Sequence, residues 1–158
     1  MKPMLMPFWP SFATQASLSK IESRWPRWLT LRAMVLLCLA RLLVACVPLR
    51  MWRSTLGHDR STEGVQPEPE TVKSAQRLAS HVERAAWRLP FETKCLPRAM
   101  ALVWTLRIQG IGCTFKLAAR PKQARSGRDD LHAWVEVGGT AILGAMPGPW
   151  IVVMALTA

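Results

Sequence analysis

From Ala33 to Val47 the chain is apolar (AMVLLCLARLLVACV) apart from Arg41. The run is shorter than the roughly 20 residues of a bilayer span, and a mid-helix arginine costs about 2.5–3.5 kcal/mol in one. It therefore reads as a helix that is buried or lies at an interface. Farther along, Val72, Ala75, Leu78, Ala79, Val82, Ala85 and Ala86 recur at helical spacing, predicting an amphipathic helix that ends before Pro90. A second helix must begin within a few residues of Cys95, because Pro97 is tolerated only in a first turn. Leu96, Ala99, Met100, Val103 and Leu106 carry its apolar face, and Gly110 supplies a stop.

Beyond Gly110 the period changes to two. Cys113, Phe115, Leu117 and Ala119 alternate with Thr114, Lys116 and Ala118. Leu131, Ala133, Val135 and Val137 then share one strand face, with His132, Trp134 and Glu136 on the other. Gly138-Gly139 is a two-residue hairpin signal, and the chain returns through Thr140–Leu143. Helix, helix and three strands make an α+β unit. Three parts follow: a helical, Trp- and Arg-rich N-terminal region at 1–57, a polar linker at 58–70 (HDRSTEGVQPEPE), and a compact domain at 71–158.

Charge and cysteines narrow the class. A net charge of +11 arises from 21 Lys and Arg against 10 Asp and Glu. The arginines are scattered over many segments with no nucleic-acid motif, so nucleic acid is not the expected partner. Acidic peptides, anionic lipid or acidic proteins suit the field better. Arg24, Trp25, Arg27, Trp28 and Arg32 before the apolar run, with Arg50, Trp52 and Arg53 after it, could sit at a lipid headgroup layer or cover the rest of the protein. Cys38, Cys46, Cys95 and Cys113 form no C-x-x-C pair and have no histidine at ligand spacing, which argues against zinc. No cofactor is implied. The opening text is not that of a secretory signal, so a reducing cytoplasm is expected, with peripheral membrane contact through residues 33–47 left open.

Two residues carry candidate chemistry. A thiol at a helix start meets unpaired N–H groups and the positive end of the helix dipole, which stabilise a thiolate and can hold a developing oxyanion. Cys95 has that position, flanked by Lys94 and Arg98. A strand holds His132 rigidly, as a general base requires. Each alone has a plainer reading, a packing cysteine and a solvated strand histidine. His58, in the linker, and His81, on a polar helix face, have no clear role.

Together the two match a known arrangement, and Arg88–Val137 resembles the leader peptidases of lasso-peptide biosynthesis, which are small transglutaminase-like proteins. The resemblance rests on Cys95-Leu96-Pro97-Arg98-Ala99, Leu106-Arg107-Ile108-Gln109-Gly110-Ile111 and His132-Ala133-Trp134-Val135-Glu136, in order and spacing. Ala40-Arg41-Leu42-Leu43 through Pro48-Leu49-Arg50 resembles the family's helical N-terminal half. The resemblance implies a papain/transglutaminase-like core in which Cys95 attacks a peptide bond between leader and core of a precursor peptide, and His132 relays the proton. It also implies two partners, a small leader-recognition protein and an asparagine-synthetase-like cyclase.

The family pattern includes a third residue, an Asp on the strand after the hairpin. With Gly138-Gly139 as the turn, Val137 faces Thr140 and His132 falls opposite Ala145, so an acid belongs near 143–145. Leu143, Gly144 and Ala145 stand there, and no Asp, Glu, Asn or Gln follows Glu136. A Cys–His dyad, a substitute acid (Glu136, or Asp130 or Asp129 in the adjoining loop), or a catalytically impaired scaffold that binds precursor and cyclase would each account for this. Acyl transfer by the same pair is a further alternative.

Overall fold

The computed structural model describes residues 27–59, 67–122 and 130–158. The elements are α1 (Arg27–Cys46), a single turn α2 (Leu49–Trp52) running into a 3-10 turn (Arg53–Leu56), α3 (Pro69–Arg88), α4 (Cys95–Ile108), β1 (Thr114–Ala119), β2 (Leu131–Val137), β3 (Thr140–Leu143) and β4 (Ile151–Thr157). The four strands form one antiparallel sheet in the order β3-β2-β1-β4. The helices pack on one face of it, so the α+β expectation holds.

The local endings have local causes. Pro97 lies in the first turn of α4, where its missing N–H would have had no helical partner. At the other end Gly110 takes φ +69°. That lets Gly110 N–H bond the Arg107 carbonyl and Ile111 N–H the Leu106 carbonyl, a Schellman closure. Gly138 and Gly139 both have positive φ, as the tight turn between β2 and β3 requires.

One core serves all described parts. Ala33, Leu37 and Ala40 of α1, with Trp52 and Leu56, cluster with Ala75, Val82 and Ala85 of α3, Met100 and Leu102 of α4, and Phe115, Val135 and Leu156 of the sheet. The alanines of α1 and α3 allow these helices to approach closely. Arg41 is not wasted on the apolar helix. It donates to the Glu92 carbonyl at 2.8 Å and lies 4.7 Å above the Phe91 ring, tying α1 to the segment just before Cys95.

Three readings change. The apolar text after Leu143 forms a fourth strand, β4, which pairs with β1; continuous apolar sequence had hidden it. Its end is sewn in further, with Thr157 bridging His58 and Ala158 exchanging both backbone hydrogen bonds with Cys113. His58, read as linker, thus takes a place beside the sheet, and α3 begins at Pro69. Lastly, His81 lies on a buried helix face rather than a polar one: it is 3% exposed and its Nδ1 is 2.9 Å from the Thr30 hydroxyl of α1.

Candidate active site

Cys95 opens α4. Its N-cap, Lys94, is extended and makes no side-chain cap, so the Lys94 side chain does not claim the first-turn N–H groups. The residues around the thiol are held from two sides, by Arg41 on Phe91 and Glu92 and by Arg98. Arg98 bonds Thr93 Oγ1 at 3.0 Å and Glu83 at 3.2 Å. The sequence placed Arg98 beside the thiol as a positive neighbour. The structure turns it toward buried Thr93 and α3, where it fixes the start of α4.

Cys95 Sγ reaches the start of β2, 4.0 Å from the Leu131 carbonyl oxygen. The next residue is His132. That residue is 7% exposed, its ring flanked by Trp150 with centroids 5.2 Å apart and by Trp134 at 6.1 Å. The thiol thus lies against the peptide unit that precedes His132, while the imidazole is on the sheet face away from the core, and no direct hydrogen bond joins the two among the described residues.

His132 Nε2 lies 2.5 Å from the carbonyl oxygen of Gly144. A carbonyl only accepts, so Nε2 carries the proton, and in the neutral ring Nδ1 holds the lone pair. A backbone oxygen thus stands where the sequence looked for a carboxylate. It fixes tautomer and orientation, although it lacks the charge that would further stabilise an imidazolium.

A bulge brings this oxygen into place. Val137 pairs with Thr140 and Glu136 with Ala141, but Val135 pairs with Leu143 because the register shifts between Val135 and Glu136. The regular register expected from the turn is corrected by one residue. Leu143 consequently joins the core face, 7% exposed, and cannot lie on the His132 face. Gly144 follows with φ +79°, and a Cβ there would come 2.9 Å from the Ala133 carbonyl oxygen. The position accepts no acidic side chain without moving backbone.

The acids named from sequence have other places. Glu136 Oε1 accepts from Trp134 Nε1 at 2.7 Å, and Oε2 pairs with Lys116 Nζ at 2.8 Å. Its partner Trp134 stacks beside His132, and no hydrogen bond joins Glu136 to the imidazole among the described residues. Asp130 precedes β2, its carbonyl accepting from Arg120 N–H at 2.8 Å. Asp129 lies outside the described residues, as does most of the basic loop at 120–128. Arg120 itself sits 4.9 Å over the Trp150 ring. Gly144 and Trp150 are the contributors the sequence did not reveal: one acts through backbone, and the other lies beyond Leu143, where the sequence assigned no element.

The other thiols differ from Cys95. Cys113 is buried, and burial pushes its pKa up to about 11 despite the opposing charge of Arg107. Cys38 and Cys46 are exposed on α1. Separately, a cavity of about 320 Å³ at the β4 edge is lined by Arg53, Asp59 and Val152 to Ala155, and by neither Cys95 nor His132.

No curated protein and no solved structure matches the chain. The family model described as transglutaminase-like superfamily matches residues 40–151, a span that runs from within α1 to the first residue of β4 and includes both Cys95 and His132. This is a fold of cysteine peptidases and acyltransferases, whose members are usually cysteine-dependent enzymes. With that match over most of its length, the chain belongs to the transglutaminase-like superfamily.

Proposed function

We propose that the protein is a thiol peptidase that removes the leader from a ribosomally made lasso-peptide precursor. The observation that carries the catalytic part is the placement of Cys95 at an uncapped helix start, against the strand residue next to a histidine with a fixed tautomer. The precursor rests on the resemblance of the Cys95-Leu96-Pro97-Arg98-Ala99 and His132-Ala133-Trp134-Val135-Glu136 segments to lasso-peptide leader peptidases.

In this reading His132 Nδ1 takes the Cys95 proton as the thiolate adds to the scissile carbonyl. N–H groups at the start of α4 hold the oxyanion. Collapse expels the amine of the core peptide, protonated by the imidazolium, and water then releases the leader from its thioester. Precursor recognition falls to a small partner protein, and ring closure to an asparagine-synthetase-like cyclase. Cys95→Ala and His132→Ala should each abolish precursor cleavage, followed by mass spectrometry with the recognition protein present. Wild-type cleavage by Cys95→Ala would overturn the reading.

One observation favours a non-catalytic scaffold instead: the acceptor on His132 is uncharged. Thiol alkylation near pH 6 separates the two in a Cys38→Ala/Cys46→Ala background, because only an activated thiolate reacts readily there. Acyl transfer uses the same pair and is distinguished by product mass, added amine instead of added water.

A further inference from the structure

The helix α1 has two apolar faces. One is packed in the core through Leu29, Ala33, Leu37 and Ala40. On the opposite side, Trp28, Leu31, Val35, Cys38, Leu39, Leu42 and Cys46 recur at spacings of three and four and stay exposed among the described residues, with exposures of 52% at Trp28, 62% at Leu31, 61% at Val35 and 59% at Leu42. Leu49 and Met51 extend the exposed apolar surface beyond the helix end. No polar residue interrupts the stripe along its length. A face of this size on a folded protein marks a contact surface.

Charge identifies what covers it. No Asp or Glu occurs between Arg27 and His58. Arg27 and Arg50 stand exposed at the two ends, and Arg32 lies at the rim. A second copy of a chain with net charge +11 would bring like fields together. A surface of anionic headgroups over hydrocarbon complements both the rim and the stripe. The orientation is also limited. Although α1 is long and apolar enough to cross a membrane, its inner face is packed against α3 and α4, and Arg41 is tied to Glu92 and Phe91. It cannot span without leaving the fold.

We infer that α1 lies flat on an anionic lipid surface, its Trp28-to-Cys46 stripe in the headgroup layer, while its inner face stays in the core. The contact is independent of the peptidase reading, since cleavage measured without vesicles should not change when it is removed. The test is co-sedimentation of the full chain with phosphatidylcholine vesicles, with and without phosphatidylglycerol. Binding is expected to the anionic vesicles and to weaken as salt rises. The Leu31→Gln/Leu42→Gln variant, whose replaced side chains project from the fold, should bind at least about tenfold more weakly with unchanged circular dichroism. Wild-type protein left in the supernatant would overturn the inference, as would a variant that binds as tightly as wild type. So would a dimer, seen by analytical ultracentrifugation without vesicle binding, that the variant dissolves.

Discussion

A neutral histidine whose Nε2–H is committed to a peptide carbonyl presents one lone pair, and for His132 the commitment depends on the backbone at Gly144. A methyl at this position meets two obstacles, φ +79° and the Ala133 carbonyl oxygen. Gly144→Ala is expected to displace the loop and cut kcat for precursor cleavage by about 10²-fold, with KM little changed. Its pH–rate profile should move as well, which a purely structural lesion would not cause. A second residue-scale expectation concerns His81, whose pKa is lowered by burial, and further by Arg84. The unfolded chain takes up this proton near pH 6.5 while the folded protein resists it. The stability is therefore fully present above pH 6.5 and is lost as pH falls below it toward the depressed folded value, by at most about 1.4 kcal/mol per pH unit. Urea midpoints between pH 5 and 7 should show this slope, and His81→Gln should flatten it.

Elements differ in how openly they announce themselves. Pro97 and Gly110 bracket α4 so tightly that its ends were legible as text, and with them the position of Cys95. The β2–β3 turn was equally plain from Gly138-Gly139. The bulge was not, because Ile142 and Leu143 are both apolar and either can occupy a core position without disturbing the pattern. That ambiguity put Leu143 on the His132 face, whereas the bulge turns it to the core and leaves the Gly144 carbonyl at the imidazole. The strand β4 escaped for a related reason: IVVMAL has no alternation, and continuous apolar text has no readable period. For α1 the sequence registered apolar character without saying which side was covered, and only packing decides that. Its inner face is set by small residues. Ala40 is fully buried, so Ala40→Leu should destabilise by about 1–3 kcal/mol through overpacking, seen as a lower urea midpoint.

At the scale of the whole molecule, segments far apart in sequence close the same sheet. β4 supplies Leu156 to the core and follows Trp150, which flanks His132. Loss of Leu156 alone, as a Leu→Ala change, should cost about 2–5 kcal/mol. Deleting residues 150–158 removes this packing and the pairing of β1 together, and is expected to abolish cooperative thermal unfolding by calorimetry. The same seam has a consequence in time. During folding β1 can pair with nearby β2 first, but its other side waits until β4 docks, and His58 waits with it. Until then the folding chain displays an open, apolar strand edge. Holdase chaperones would find their target there, and the rate at which β4 docks would govern how long it is offered.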